Sequence, residues 1–150
     1  MQIVANNKKA FFEYFILEKI EAGIQLTGDE VKSLRVGKAS IKEAYAEAKK
    51  GQLFLVNSDI SNYEKASSYS KLNSKRVRKL LVHKKEILKL QGKIEKEGMT
   101  IVPLKLYFNK KGIAKVEIAI AKGKKLYDKR EVKKKKDWNI QKKRLLKNIN

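Results

Sequence analysis

The chain has 150 residues, with 37 Lys and Arg against 16 Asp and Glu, a formal net charge of +21. That length suits one core and not two full domains, and 42% hydrophobic residues exclude a wholly disordered polybasic chain. The absence of cysteine excludes disulfides, iron–sulfur clusters and thiolate zinc sites, and it suits a reducing, cytosolic address. No basic region precedes the first apolar residues, and Glu13 and Glu18 break the later apolar run, so neither a signal peptide nor a spanning segment is expected. Self-repulsion of this size is relieved by a polyanion. Nucleic acid is the leading partner and an anionic membrane surface the second.

Residues 10–20 are aromatic and β-branched, with Phe12, Tyr14, Ile16, Glu18 and Ile20 on one side of a period-2 alternation, which predicts a strand. Thr27 and Glu30 then have the spacing of a capping box, Val31 and Leu34 share a helical face, and Gly37 ends the helix. Residues 40–49 put Ala44, Ala46 and Ala48 on one strand face. The turn Lys49-Lys50-Gly51 leads into the run 52–57, so a hairpin is expected. A short strand near 59–63 precedes a polar stretch, 64–74, read as a mobile loop.

Ile87, Leu90 and Ile94 recur at helical spacing within 83–96, and Gly98 supplies an ending. Val102, Leu104, Leu106 and Phe108 alternate inward, turn at Asn109-Lys110-Lys111-Gly112, and return through Val116, Ile118 and Ile120. This is the clearest hairpin in the chain. Pro103, the only proline, implies either an edge strand or a bulge. The expected fold is mainly β: an oligonucleotide-binding-type antiparallel β-barrel over residues 1–121 with flanking α-helices. Residues 122–150 hold 13 basic and 3 acidic side chains, net +10, against +11 on the first 121. They form a basic C-terminal tail, expected to be disordered when free and helical on a polyanion, with Trp138, Leu145 and Ile149 as its apolar stripe.

Catalytic constellations are scarce. His83 is the one histidine, and a general base needs a positioned partner; a helix cap or an RNA contact is the expected role. Glu30-Val31-Lys32 matches half of a metal-dependent nuclease site, but no Pro-Asp pair precedes it and capping already employs Glu30. No enzyme activity, metal or cofactor is expected. Basic residues crowd the approach to the second long helix, among them Arg78, Lys79 and Lys84, with Leu80, Leu81 and Val82 between them. They form either a solvated face or a surface that tracks phosphates. Phe11, Phe12, Tyr14 and Tyr107 are expected to fill the barrel, with base stacking as the other reading.

Five ordered strings carry a resemblance: Glu21-Ala22-Gly23-Ile24-Gln25-Leu26, residues 30–39 from Glu30 to Ala39, residues 78–87 from Arg78 to Ile87, Pro103-Leu104-Lys105-Leu106-Tyr107-Phe108, and residues 121–131 from Ala121 to Glu131. In that order they resemble the SsrA-binding, or small protein B, family, over about residues 6–147. The resemblance implies a non-enzymatic factor of trans-translation. It would bind the tRNA-like domain of transfer-messenger RNA (tmRNA), enter stalled ribosomes with elongation factor Tu, and mimic the missing anticodon arm. The tail would reach the decoding centre and the empty mRNA channel. Glu21, Leu81 and His83 are the RNA-facing positions on the barrel that the resemblance implies, His83 standing where other members carry Asn. Glu21 would accept hydrogen bonds from base amino groups or orient a lysine; a turn role ahead of Gly23 is its alternative. In the tail, Gly123, Lys124, Lys125, Asp128, Lys129 and Arg130 match the family's Gly-Lys-Lys and Asp-Lys-Arg positions, with Tyr127 a departure from the family's His. Trp138, Leu145 and Leu146 match its apolar positions. A cytoplasmic monomer is expected, with no membrane partner. A generic ribosomal or cold-shock-like RNA-binding accessory protein is the alternative.

Overall fold

The computed structural model describes residues 1–62 and 73–124. Residues 64–72 of the expected loop 64–74, and all but the first residues of the expected tail, therefore lie outside the described residues. The elements run β1 (Gln2–Asn6), α1 (Lys8–Glu13), β2 (Tyr14–Ile24), α2 (Gly28–Arg35), β3 (Ala39–Ser40), β4 (Tyr45–Lys49), β5 (Gln52–Val56), β6 (Asp59–Ile60), β7 (Arg78–Leu81), α3 (Lys84–Glu97), β8 (Thr100–Phe108) and β9 (Ala114–Gly123). The main sheet has the order β1-β8-β4-β5-β7-β2-β9, and β9 also pairs with β8. Pairing thus returns on itself through six antiparallel strands, the closed barrel that the strand count suggested. β3 and β6 form a separate two-stranded sheet.

The predicted capping box is present: Thr27 Oγ1 accepts from Glu30 N and Glu30 Oε1 accepts from Thr27 N at 2.9 Å. The β4–β5 hairpin pairs Tyr45 to Lys49 with Val56 to Gln52. Ala44 and Ala46 are buried and Ala48 packs on the core, as their shared face implied. The strand expected over 40–49 is, however, divided by a turn in which Ala44 N donates to Ile41 O.

Two other expectations need correction, for a common reason. Residues 10–13 are helical, and Tyr14 begins the strand. β2 carries a bulge between Ile16 and Glu18, and β8 carries one between Pro103 and Lys105. A bulge inserts one residue and moves the following side chains to the other face. Tyr14, Ile16, Val102 and Leu104 therefore pack with Ala10, Ala119 and Ala121 on the outer wall, beneath α1. Ile20, Ala22, Ile101, Leu106 and Phe108 enter the main core with Val116, Ile118 and Ile120. Pro103 marks the bulge and not an edge, since β8 pairs with β1, β4 and β9. Asn7 fastens α1 to the bulge: its backbone N donates to Leu104 O at 2.8 Å, Nδ2 donates to Pro103 O at 2.9 Å, and Oδ1 caps Ala10 N.

Between β4 and β8 the ring is joined by a single residue pair, Ala46 with Ile101. α3 lies against β4, β5 and β8 and covers that seam with Ile87, Leu90 and Ile94. Gly98 ends the helix with φ 62°, a left-handed conformation that a side chain resists.

Among the described residues the largest fully buried side chain is Arg78. Its Nε and Nη2 donate to Glu30 Oε2 at 2.7 and 2.6 Å, Nη1 donates to Ser58 O and Oγ at 2.9 Å, and Nη2 also donates to Ser74 O at 3.0 Å. Arg76 Nη2 reaches Glu30 Oε1 at 2.5 Å. Burial raises the Glu30 pKa, but the hydrogen bonds from Arg76, the Thr27 amide and Arg78 outweigh it, and the net shift is downward. Burial also lowers the Arg78 pKa, against the opposing pull of Glu30. Removing one partner leaves an uncompensated buried charge, which costs about 3–5 kcal/mol. Glu30→Gln is therefore expected to lower unfolding free energy at pH 7 by about that amount in urea titrations. Because the folded Glu30 pKa is depressed, its stabilisation is complete above the unfolded value of about 4.3 and fades as pH falls through the folded value. Glu30→Gln should accordingly flatten the loss of stability below about pH 4.5, and a parallel acid limb in the variant would contradict this.

Candidate nucleic-acid interface

β7 alternates strictly. Arg78 and Leu80 point inward and are buried, whereas Lys79 and Leu81 point outward, Leu81 being 47% exposed. Gly23 of β2 lies directly opposite Leu81, and on the other side of β2 it lies opposite Lys115 of β9. A Cβ on Gly23 would sit 3.1 Å from Leu81 Cβ. The missing side chain at Gly23 is what lets Leu81 lean across β2, and this gives the Glu-Ala-Gly motif a steric reason.

A groove of about 670 Å³ crosses this outer wall and brings together Glu21, Lys79, Leu81, His83 and Lys84. Five of the six barrel positions expected from the sequence therefore converge. Arg78, the sixth, does not: its guanidinium is sealed in the core, where it cannot meet a ligand, because the strand period turns it away from its neighbours. His83 occupies the N-cap of α3, but only its backbone carbonyl caps, accepting from Glu86 N and Ile87 N at 3.0 and 3.1 Å; its side chain makes no capping hydrogen bond. The exposed imidazole thus faces the groove.

Sequence reasoning missed Gly51 and Gln52, from the β4–β5 turn, and Lys115, all of which line the same groove. Lys115 was legible only as a polar residue alternating with Val116; its approach to Gly23 depends on the β2–β9 register. Tyr107, expected in the barrel, is buried on the outer wall instead, and its hydroxyl donates to Glu21 Oε2. Burial, and then that hydrogen bond, holds the Tyr107 phenol well above its ordinary pKa. Phe11 and Phe12 do not fill the barrel either, being 43% and 79% exposed, since α1 buries only Ala10.

Of the expected tail positions, Gly123 and Lys124 are described. Gly123 still pairs with Tyr14 at the end of β9, so the barrel strand extends past the expected boundary at residue 121. Lys124 Nζ donates to Phe11 O at 3.0 Å and lies 5.2 Å from the centre of the Phe15 ring. Lys125, Asp128, Lys129, Arg130, Trp138, Leu145 and Leu146 lie outside the described residues. The Glu-x-Lys tripeptide provides no open site at Glu30, whose carboxylate is closed off by Thr27, Arg76 and Arg78. Among the described residues no cluster of three His, Cys, Asp or Glu is placed to hold a metal, and no helix is long and apolar enough to cross a membrane.

A groove lined by three lysines, two glutamates and an exposed leucine, on the wall of a small antiparallel barrel, defines a nucleic-acid-binding barrel protein of the oligonucleotide-binding kind. The SmpB protein family matches residues 4–148, and the chain belongs to it. The SsrA-binding protein of Nitrobacter winogradskyi is 55% identical over 146 residues, covering 97% of this chain and 92% of that one. That of Rhodopseudomonas palustris shows the same identity and coverage. A solved chain described as "tmRNA-SmpB: a journey to the center of the bacterial ribosome" is 50% identical with a TM-score of 0.66, covering 79% of this chain and 82% of its own.

Gly23→Ala is expected to displace Leu81 and to cost about 1–3 kcal/mol through overpacking. Methyl NMR of Leu81 together with a thermal melt checks this. An unmoved Leu81 resonance with unchanged melting temperature would show that the close approach carries no strain.

Proposed function

We propose that the chain is a non-enzymatic RNA-binding factor of trans-translation, acting in the cytoplasm as a monomer. In this reading it binds the tRNA-like domain of tmRNA through the groove, accompanies it with elongation factor Tu to stalled ribosomes, and stands in for the anticodon arm. The convergence of Glu21, Leu81 and His83, distant in sequence, on one groove carries the reading.

The chemistry of each group suits the task. Lys79 and Lys84 supply phosphate contacts, which position an RNA without reading its sequence. Leu81 offers an exposed apolar surface for the face of an unstacked base, and the His83 imidazole offers a ring for stacking and a hydrogen bond. Glu21 repels phosphate and therefore favours donor-bearing base edges. Arg78 has no part in the interface; its role is to hold β7. Lys124 lies beside α1, and the tail residues Lys125, Lys129, Arg130, Trp138, Leu145 and Leu146, with Gly123, Lys124 and Asp128, are assigned to the decoding centre and the empty mRNA channel. The nearly equal division of charge, +11 and +10, supports two separate RNA contacts.

Competition between the tRNA-like domain and bulk tRNA at one stated salt concentration tests the first contact. Specific binding should favour the former by a factor of about 10³ or more, whereas generic electrostatics would show little preference. Deletion of residues 125–150, which spares β9, should leave that binding largely intact and abolish peptide tagging in a reconstituted translation system. Tagging by the truncated protein would overturn the role of the tail.

A further inference from the structure

The outer wall of the barrel holds an arrangement that the groove residues alone do not explain. Two rows cross the sheet from strand to strand. In one, Leu81, Gly23, Lys115 and Tyr107 lie opposite one another on β7, β2, β9 and β8; in the next, Glu21, Glu117 and Lys105 do so on β2, β9 and β8. Glu21 and Glu117 are thus direct cross-strand partners, and like charges in that relation repel. Glu117 keeps Oε1 buried without a hydrogen-bond partner among the described residues. Tyr107, only 5% exposed, reaches diagonally over β9 and donates its hydroxyl to Glu21 Oε2.

A carboxylate on an exposed strand position ordinarily samples several rotamers, and fixing a Glu side chain costs conformational entropy. Here one oxygen is tied to a phenol whose ring is locked by packing, through a charge-assisted bond. Direct recognition needs one oxygen of known direction, because a hydrogen bond weakens steeply as its angle departs from linear. We infer that Tyr107 is a positioning residue for RNA recognition: by holding Glu21 Oε2 it aims Oε1 at an N–H donor on the edge of an unpaired base. The inference rests on the reading of the groove as the site for the tRNA-like domain. The group recognised is a base amino or imino N–H and not a phosphate, since only a donor satisfies a carboxylate. Tyr107 remains a donor at every working pH, because burial, the Glu21 bond and the neighbouring charge of Glu117 all oppose its ionisation.

The test is a double-mutant cycle on the full chain. Tyr107→Phe removes one oxygen and keeps the packed ring, and Glu21→Ala removes the aimed group. Affinity is measured for the tRNA-like domain of tmRNA and, at the same salt, for bulk tRNA. Tyr107→Phe should weaken binding to the tRNA-like domain roughly tenfold, the scale of one aligned hydrogen bond to a charged group. It should leave binding to bulk tRNA unchanged, and in the Glu21→Ala background it should have no further effect. A merely structural role would weaken both RNAs together and persist without Glu21, which overturns the proposal. Unchanged affinity in Tyr107→Phe while Glu21→Ala still loses binding would also overturn it, leaving the groove reading intact. Unchanged affinity in Glu21→Ala would defeat both the groove reading and the inference.

Discussion

The buried ion pair between Glu30 and Arg78 is the interaction on which the rest of the arrangement depends. A guanidinium with no exposed surface must find acceptors for its donors inside the protein, and here they come from α2, from Ser58 after β5 and from Ser74 ahead of β7. One side chain thereby ties three separate segments to the first residue of β7. The strand period does the rest. With Arg78 and Leu80 committed inward, Lys79 and Leu81 must face outward, and a slip by one residue would bury a lysine and remove the leucine from the groove. The capping box that starts α2 belongs to the same network, because Glu30 serves the Thr27 amide and both arginines together. A local helix signal and a long-range anchor thus share a carboxylate.

Two bulges give the barrel its second layer. β9 continues unbroken between β2 and β8, each of which inserts a residue and changes face. As a result, one end of the wall formed by these three strands is buried on both sides, by the core within and by α1 without. The other end, past the bulges, is left open, and there Glu21, Gly23 and Lys115 line the groove. The bulges therefore separate a covered half of the wall from a half available to a ligand, in keeping with the tendency of such irregularities to re-aim side chains next to functional sites.

Charge and specificity divide the labour at that groove. Net charge attracts any polyanion, and its contribution falls steeply with salt. In the proposed reading, a carboxylate among the groove's lysines runs against that attraction and gains where a base edge presents a donor. On that reading Glu21 limits generic affinity in favour of selectivity, an exchange that requires the carboxylate to be aimed. The exposed Leu81, propped over Gly23, adds an apolar contact that phosphates cannot use.

Much of this was legible in the sequence, where local chemistry decides. The capping box of Thr27 and Glu30, the αL ending at Gly98, the two hairpins and the apolar spacing of α3 depend on neighbours a few residues away, and each lies close to where it was expected. The five recurring strings also identified the groove positions Glu21, Leu81 and His83. The bulges were hidden because a period-2 count continues through an inserted residue without notice; only pairing with β9 reveals that Ile16 and Ile20, or Leu104 and Leu106, face opposite ways. The fate of Arg78 was hidden for a related reason. Within a run of lysines and arginines each cation looks alike, and only the carboxylate of Glu30, brought from a distant helix, makes burial of that one tolerable. Composition and local pattern determined that this would be a basic barrel and that its C-terminal segment would be basic. Which side chains of the basic strand hold the fold and which line the groove was decided by tertiary structure, because burial of a charge depends on partners that sequence spacing does not place.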